Sequence, residues 1–490
     1  MRLMKVCVIS FLQSFIALAS MCAAEESKEH LYDRIHRVEN GLLPPVFIKG
    51  QSAGAMNISN RMAFHHVPGV SVAVINDGKL EWARGYGVVE TNKPQAVTTN
   101  TPFQAASISK PVSAMAALAL VQAGKLSLDD EVNDKLASWR VPENEFTKDK
   151  KVALRRLLTH SAGLTVHGFR GYAAGEPVPN LVEVLDGKKP ANSPSIRVDL
   201  VPGQRVRYSG GGYCVMQQLL IDVAGKPFPQ VVDENVLRPL QMVHSTFEQP
   251  LPKSKVDSAA VGHLRNGQPV AGKWHTYPEM AAAGLWTTPS DLAHFAIELQ
   301  QARAGKSKRV FSAEMAKQML SPQIENVGLG IFLEGKDDQR FFYHGGANEG
   351  FRAMLVAYEN SGRGVAVMCN SDSGSELNEE IIRAVATEYD WPDYRPKERS
   401  VIKVDAKTLE SYCGRYQLFP DFILTVTTSG GRLFSEATGQ PQCELFAESE
   451  KVFFYTVVDA QIQFVRSQEG KVTELVLNQN GQTMKARRLD

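Results

Sequence analysis

Strand patterns at both ends of one long segment, with helical patterns between them, constrain this chain most. Val70 to Ile75 is an apolar, β-branched run, Asn76-Asp77-Gly78 supplies a turn, and Leu80 to Val89 reads as the returning strand. Far downstream, Phe351 to Tyr358 and Gly364 to Asn370 read as strands again. Between them, Pro111 to Ala123 and Tyr213 to Val223 have helical patterns, each followed by a glycine (Gly124, Gly225) of the kind that ends helices. This order implies an α/β (α+β) fold over roughly residues 60 to 390. An antiparallel sheet is assembled from the two ends of the unit, and a helical region is inserted between them.

The 490 residues leave room for a further domain at roughly 150 residues each. After Trp391 the composition shifts, and 396–404 reads as a linker. From 405 to 490 short strand signals alternate with turns. Ile423-Leu424-Thr425-Val426 faces Leu433-Phe434 across Ser429-Gly430-Gly431, Val452 to Val458, Ile462 to Val465 and Val472 to Leu477 follow, and Asn480-Gly481 is a hairpin signal. That spacing predicts a small all-β domain, an antiparallel barrel or sandwich. At the other end, Arg2 and Lys5 flank the apolar run Val6 to Ala19, and Cys22-Ala23-Ala24 precedes Glu25. Residues 1–24 therefore read as a secretory signal, with 25–395 as the first mature domain. The expected location is outside the cytoplasm, periplasmic in a Gram-negative host. Met21 argues against a lipoprotein anchor on Cys22, and no later stretch is apolar enough to span a bilayer.

Charge excludes some partners. The net charge is +1, which gives nucleic acid or an anionic membrane no electrostatic handle. Cys214, Cys369, Cys413 and Cys443 show no C-x-x-C spacing, so free thiols are expected and a structural zinc site is not. The histidines include His65-His66 but no H-E-x-x-H, and no metal or organic cofactor is expected. Gly210-Gly211-Gly212 lacks the strand, loop and lysine of a phosphate cradle and reads as close backbone packing.

Three serines compete as nucleophile. Gly50-Gln51-Ser52-Ala53-Gly54 matches G-x-S-x-G, but it lies too early to have a sheet built around it. Ser400-Val401-Ile402-Lys403 matches S-x-x-K, yet it sits in the linker and runs into a strand pattern. Ser107-Ile108-Ser109-Lys110 is followed by Pro111 and an Ala/Leu-rich helix. Proline favours the first helical turn, so Ser107 falls at the helix start with Lys110 one turn on. The partial positive charge there stabilises an alkoxide-like oxygen and disfavours a neighbouring ammonium.

Downstream, Tyr208-Ser209-Gly210 and then His344-Gly345-Gly346-Ala347 complete a series with Ser107-x-x-Lys110. The last motif falls between the strand-like Arg340 to Tyr343 and Phe351 to Tyr358. In this order the three resemble the penicillin-recognising serine hydrolases: class C β-lactamases, D-alanyl-D-alanine carboxypeptidases and β-lactamase-fold esterases. Val67 to Ser71, Leu157 to Leu164, Leu237 to Met242 and Gly284-Leu285-Trp286 fit the same family. Tyr412-Cys413-Gly414-Arg415-Tyr416 resembles the marker of the lipocalin-like barrel appended to many such hydrolases.

The resemblance implies acyl transfer. Ser107 would be the nucleophile, Lys110 its base and Tyr208 the proton relay, and the backbone N–H groups of Ser107 and Ala347 would form the oxyanion hole. His344 and Gly346 would belong to the substrate side. Two departures stand out. The second motif ends in Gly210 where the family commonly has Asn, and the third is His344-Gly345-Gly346 where β-lactamases have Lys-Thr/Ser-Gly. They point toward esters, small amides or peptides as substrates, with a class C-like β-lactamase or a D-alanyl-D-alanine carboxypeptidase as alternatives, and with Arg352 as a candidate replacement for the missing lysine. A catalytically silent peptidoglycan-binding or sensor protein is the non-enzymatic alternative, and a homo-oligomer is left open.

Overall fold

The computed structural model describes residues 29–52, 54–479 and 482–489. Residues 1–24, read from sequence as a secretory signal containing Cys22, and Asn480-Gly481, read as a hairpin turn, lie outside the described residues. The chain divides into two compact units: residues 59–379, and the described residues up to 58 together with those from 380 onward.

The first unit is built on a six-stranded antiparallel sheet. Its strands are β1 (Gly69–Asn76), β2 (Lys79–Gly87), β3 (Phe332–Glu334), β4 (Phe341–Asn348), β5 (Phe351–Tyr358) and β6 (Gly364–Cys369), in the order β2-β1-β6-β5-β4-β3. The two ends of the segment therefore meet at β1 and β6, which pair from Val70–Cys369 to Ile75–Gly364. Both strands are buried almost throughout, which explains their near-continuous Val/Ile/Ala/Met composition. Helices α1 (Ser109–Gln122), α2 (Gly210–Ala224), α3 (Met280–Ala283) and α4 (Pro289–Arg303) fill the interval. α4 packs on β1, β2, β5 and β6. α1 is buried on nearly every side, as its run of Ala, Leu and Val permits. Gly225 ends α2 in the left-handed region at φ +63°, the conformation its place in the sequence implied.

One segment differs from the sequence reading. His344-Gly345-Gly346-Ala347 does not connect two strands but forms the second half of β4, in register with Ala353–Leu355 and Arg352 of β5. Glycine pairs resemble turns in sequence; here they let a strand pass close to its neighbours.

In the second unit, eight antiparallel strands close into a barrel. They are β7 (Gly414–Phe419), β8 (Phe422–Ser429), β9 (Arg432–Ala437), β10 (Cys443–Ala447), β11 (Val452–Phe454), β12 (Ala460–Arg466), β13 (Val472–Gln479) and β14 (Gln482–Arg488). Pairing of Tyr416 with Arg488 closes the circle between β7 and β14. Inward positions alternate with outward ones, as in Leu424 and Val426 of β8, and Tyr412 stacks on Phe464 at 4.0 Å in the barrel core. Within 396–404, Lys397–Arg399 pairs in parallel with Val46–Ile48. All four described cysteines are free thiols.

Candidate active site

Ser107 lies in a single 3-10 turn, Ala106–Ile108, that runs directly into α1. The turn is clasped by Leu285: Ala105 N–H donates to Leu285 O (2.8 Å), and Leu285 N–H donates to Ser109 Oγ (2.9 Å). Ser109 is fully buried and also donates to Ala106 O, so it ties down the residue just before the candidate nucleophile. Ala106 has φ +50°, a left-handed conformation unusual outside glycine, and local strain of this kind often accompanies functional sites.

Lys110 is 2% exposed. Its Nζ donates to Ser107 Oγ at 3.1 Å and to the carbonyl of Ala282, in α3, at 2.8 Å. It also lies over the ring of Tyr208, 4.8 Å from the centroid. Thus Ser107, Lys110 and Tyr208, spread over a hundred residues of sequence, converge on one point. Ser52 and Ser400 are exposed, outside helices and strands, and neither has this setting.

β4 borders the turn. An ideal Cβ on Gly346 would sit 2.1 Å from Ala105 O, so only glycine lets the strand approach this closely, whereas Gly345 has nothing nearer than 3.6 Å. Asn348, at the end of β4, donates to Ala283 O (3.1 Å) and Gln104 Oε1 (2.8 Å), fixing strand to α3. His344 is 3% exposed and its Nδ1 faces Gly345 O at 2.7 Å. Burial holds its pKa down to about 3, so the ring is neutral at ordinary pH. A neutral ring facing a carbonyl must carry its proton on Nδ1, which leaves Nε2 as an acceptor; that nitrogen is buried and without a partner among the described residues.

Arg352, the candidate replacement for a third-motif lysine, is held through one nitrogen, Nη1. Its guanidinium is engaged by Asp372 at 2.9 Å and by the carbonyls of Asn348 and Phe351. Gly210 and Gly211 start α2 under the segment Thr165–Phe169: a Cβ on Gly211 would meet Thr165 O at 2.6 Å. Close packing is therefore what this glycine run serves.

Several residues around Tyr208 had no individual role in the sequence reading. Rings of His160 (4.2 Å), His167 (4.8 Å) and Phe332 (6.2 Å) surround it. His160 is marked in sequence only by its place in Leu157 to Leu164, and Phe332 carries no signal at all. Glu279, immediately before α3, is fully buried, and among the described residues its carboxyl has no hydrogen-bond partner beyond its own backbone amide. Burial raises its pKa to about 8.

Comparison with known proteins places this geometry. The family described as Beta-lactamase matches residues 55–388, and a domain of unknown function, DUF3471, matches residues 398–488. Protein flp of Staphylococcus aureus is 26% identical over 63% of this chain, which spans about 60% of that relative's length. A penicillin-binding protein of Bacillus subtilis is 22% identical over 81% of this chain and 90% of its own. Among solved structures, the octameric penicillin-binding protein homologue from Pyrococcus abyssi shares the fold with TM-score 0.57 and 20% identity over 87% of this chain and 98% of its own. A D-amino acid amidase from Ochrobactrum anthropi does so with TM-score 0.56 and 19% identity over 73% and 99%. With its match over most of the chain, and with the three motifs of the sequence gathered around Ser107, this chain belongs to the Beta-lactamase family.

Proposed function

We propose that the protein is an exported serine hydrolase that works through an acyl-enzyme and acts on esters, small amides or peptides in preference to β-lactams. The observation that carries the reading is the contact of Lys110 Nζ with Ser107 Oγ beneath the ring of Tyr208. Ser107 Oγ bonds to the substrate carbonyl carbon as its proton passes to the amine of Lys110, the base of the pair. Tyr208 relays that proton to the leaving group as the bond to it breaks. The N–H groups of Ser107 and Ala347 hold the oxyanion, an arrangement typically worth about 3–4 kcal/mol in the barrier. Water then attacks the acyl carbon, its proton returns through the same groups, and Ser107 is regenerated.

The substrate preference rests on the third motif. An anionic substrate group beside the reacting bond calls for a cation or hydroxyl there. The neutral His344 and the bare Gly345 supply neither, and the Nη1 of Arg352 is already taken by Asp372.

Covalent labelling with a fluorophosphonate or a fluorescent penicillin tests the mechanism. The expected result is one adduct, lost in Ser107→Ala and retained in Ser52→Ala and Ser400→Ala. A folded protein that takes no label from either probe would instead be a non-catalytic binding protein.

A further inference from the structure

The segment from Thr165 to Phe169 is laid across the start of α2 by three hydrogen bonds. Ser209 Oγ donates to Thr165 O (2.8 Å), Gly211 N–H to Val166 O (3.0 Å) and Gly210 N–H to His167 O (2.9 Å). Val166 is held at φ +65°, a conformation that β-branched residues rarely adopt, so the path of this segment is tightly specified. An ideal Cβ on Gly210 would lie 3.0 Å from Phe169 Cε2 and 3.1 Å from His167 O. The space that a side chain at position 210 would enter is therefore filled by the edge of Phe169.

This has a chemical consequence two residues from Tyr208. Position 210 has no side chain; beside it lies the half-buried ring of Phe169, packed against the core, while the exposed ring of His167 lies against Tyr208 and the half-buried ring of Phe332 is nearly parallel to that of Tyr208 at 17°. An apolar acyl chain gains by covering such rings. Against the rings of Phe169 and Phe332, an acyl chain that carries an amide or a carboxylate would shed water without gaining a hydrogen bond from them.

We infer that Phe169, seated over Gly210, sets acyl-group specificity, selecting an aromatic or other apolar acyl chain over one bearing an amide or carboxylate. The inference rests on the acyl-enzyme reading above.

The test uses the full chain and three esters with one leaving group: p-nitrophenyl acetate, 3-phenylpropanoate and N-acetylglycinate. In the wild type, kcat/KM for the phenylpropanoate should exceed that for the N-acetylglycinate by about tenfold or more, with acetate as the reference for acyl size. Phe169→Ala should bring that ratio to within about threefold of unity. Phe169→Gln, which puts an amide where the ring was, should move it further toward the N-acetylglycinate. A wild-type ratio near one, or a ratio unchanged in both variants, overturns the inference. The wild-type ratio and the glutamine variant decide the matter if the alanine variant does not fold. Ser107 labelling separates the two levels: a labelled enzyme with no acyl preference removes only this inference, while an unlabelled, folded one removes the acyl-enzyme reading itself.

Discussion

His160 holds Tyr208 from both sides along the chain. Its carbonyl accepts from Arg207 N–H at 2.7 Å, its Nδ1 accepts from Ser209 N–H at 3.1 Å, and its ring lies against the tyrosine ring at 4.2 Å. Burial pushes its pKa well below the usual 6.5, so Nδ1 keeps the lone pair that Ser209 needs.

His160→Ala should therefore misplace Tyr208. It leaves the buried Ser209 N–H without an acceptor, a loss of about 1–3 kcal/mol in stability, and should lower kcat at least tenfold with a smaller change in KM. Activity is normalised to sites titrated by the fluorophosphonate, so that loss of folded protein does not count. His160→Asn, whose amide oxygen can accept the same bond, should recover part of kcat. Equal turnover per labelled site in wild type and His160→Ala would show that His160 only stabilises the fold.

The buried ionisable groups predict how stability changes with pH. For His160 and His344 the folded pKa lies below the unfolded value of about 6.5, so the unfolded chain binds the extra protons. Their effect is a stability lost as pH falls below about 6.5, by about 1.4 kcal/mol per pH unit for each. Glu279 acts in the opposite direction. Its folded pKa of about 8 lies above the unfolded 4.5, so stability is lost as pH rises between those values. Denaturant unfolding across this range should show Glu279→Gln with a weaker decline toward pH 8 than wild type. Parallel curves for the two proteins would contradict the raised pKa of that buried carboxyl.

Gly346→Ala should fold yet lose about a hundredfold in kcat/KM on an activated ester, because its Cβ would displace β4 from the Ala105 carbonyl and from the turn carrying Ser107. Gly345→Ala, with its nearest neighbour at 3.6 Å, should stay within about fivefold of wild type. Equal losses in the two variants, measured at matched folded fraction, would remove the argument from close approach.

On nitrocefin beside a p-nitrophenyl ester, the ester should be the better substrate by tenfold or more, since a missing charge-assisted contact costs about 1.5–3 kcal/mol. Efficient nitrocefin turnover with a silent ester would show that another group supplies the contact that His344 and Gly345 lack.

What was legible in the sequence was chiefly local. The Asn76-Asp77-Gly78 hairpin, the glycine-terminated helices and the one-turn spacing of Ser107 and Lys110 follow from nearest-neighbour chemistry and stand in the structure nearly where the pattern put them. The mostly polar strand Gln482–Arg488 carries only the short apolar alternation of Met484 and Ala486, and β7 and β13 pair with it. The strand through His344 to Asn348 was hidden by its glycines. Contacts such as Leu285 with Ser109, or Phe169 with Gly210, join distant parts of the chain and leave no periodic trace.

Closure of the C-terminal barrel determines how that unit can meet other molecules. Each of its eight strands has a partner on both sides, so no strand is an open edge along its whole length. Closure works against binding a peptide as an added strand and against edge-to-edge polymerisation of copies. Recognition by this unit must come from outward side chains, such as Phe419 at the β7–β8 hairpin, or from the loops at its rims. The six-stranded sheet is different: it ends in β2 and β3, whose outer edges have no partner strand in that sheet.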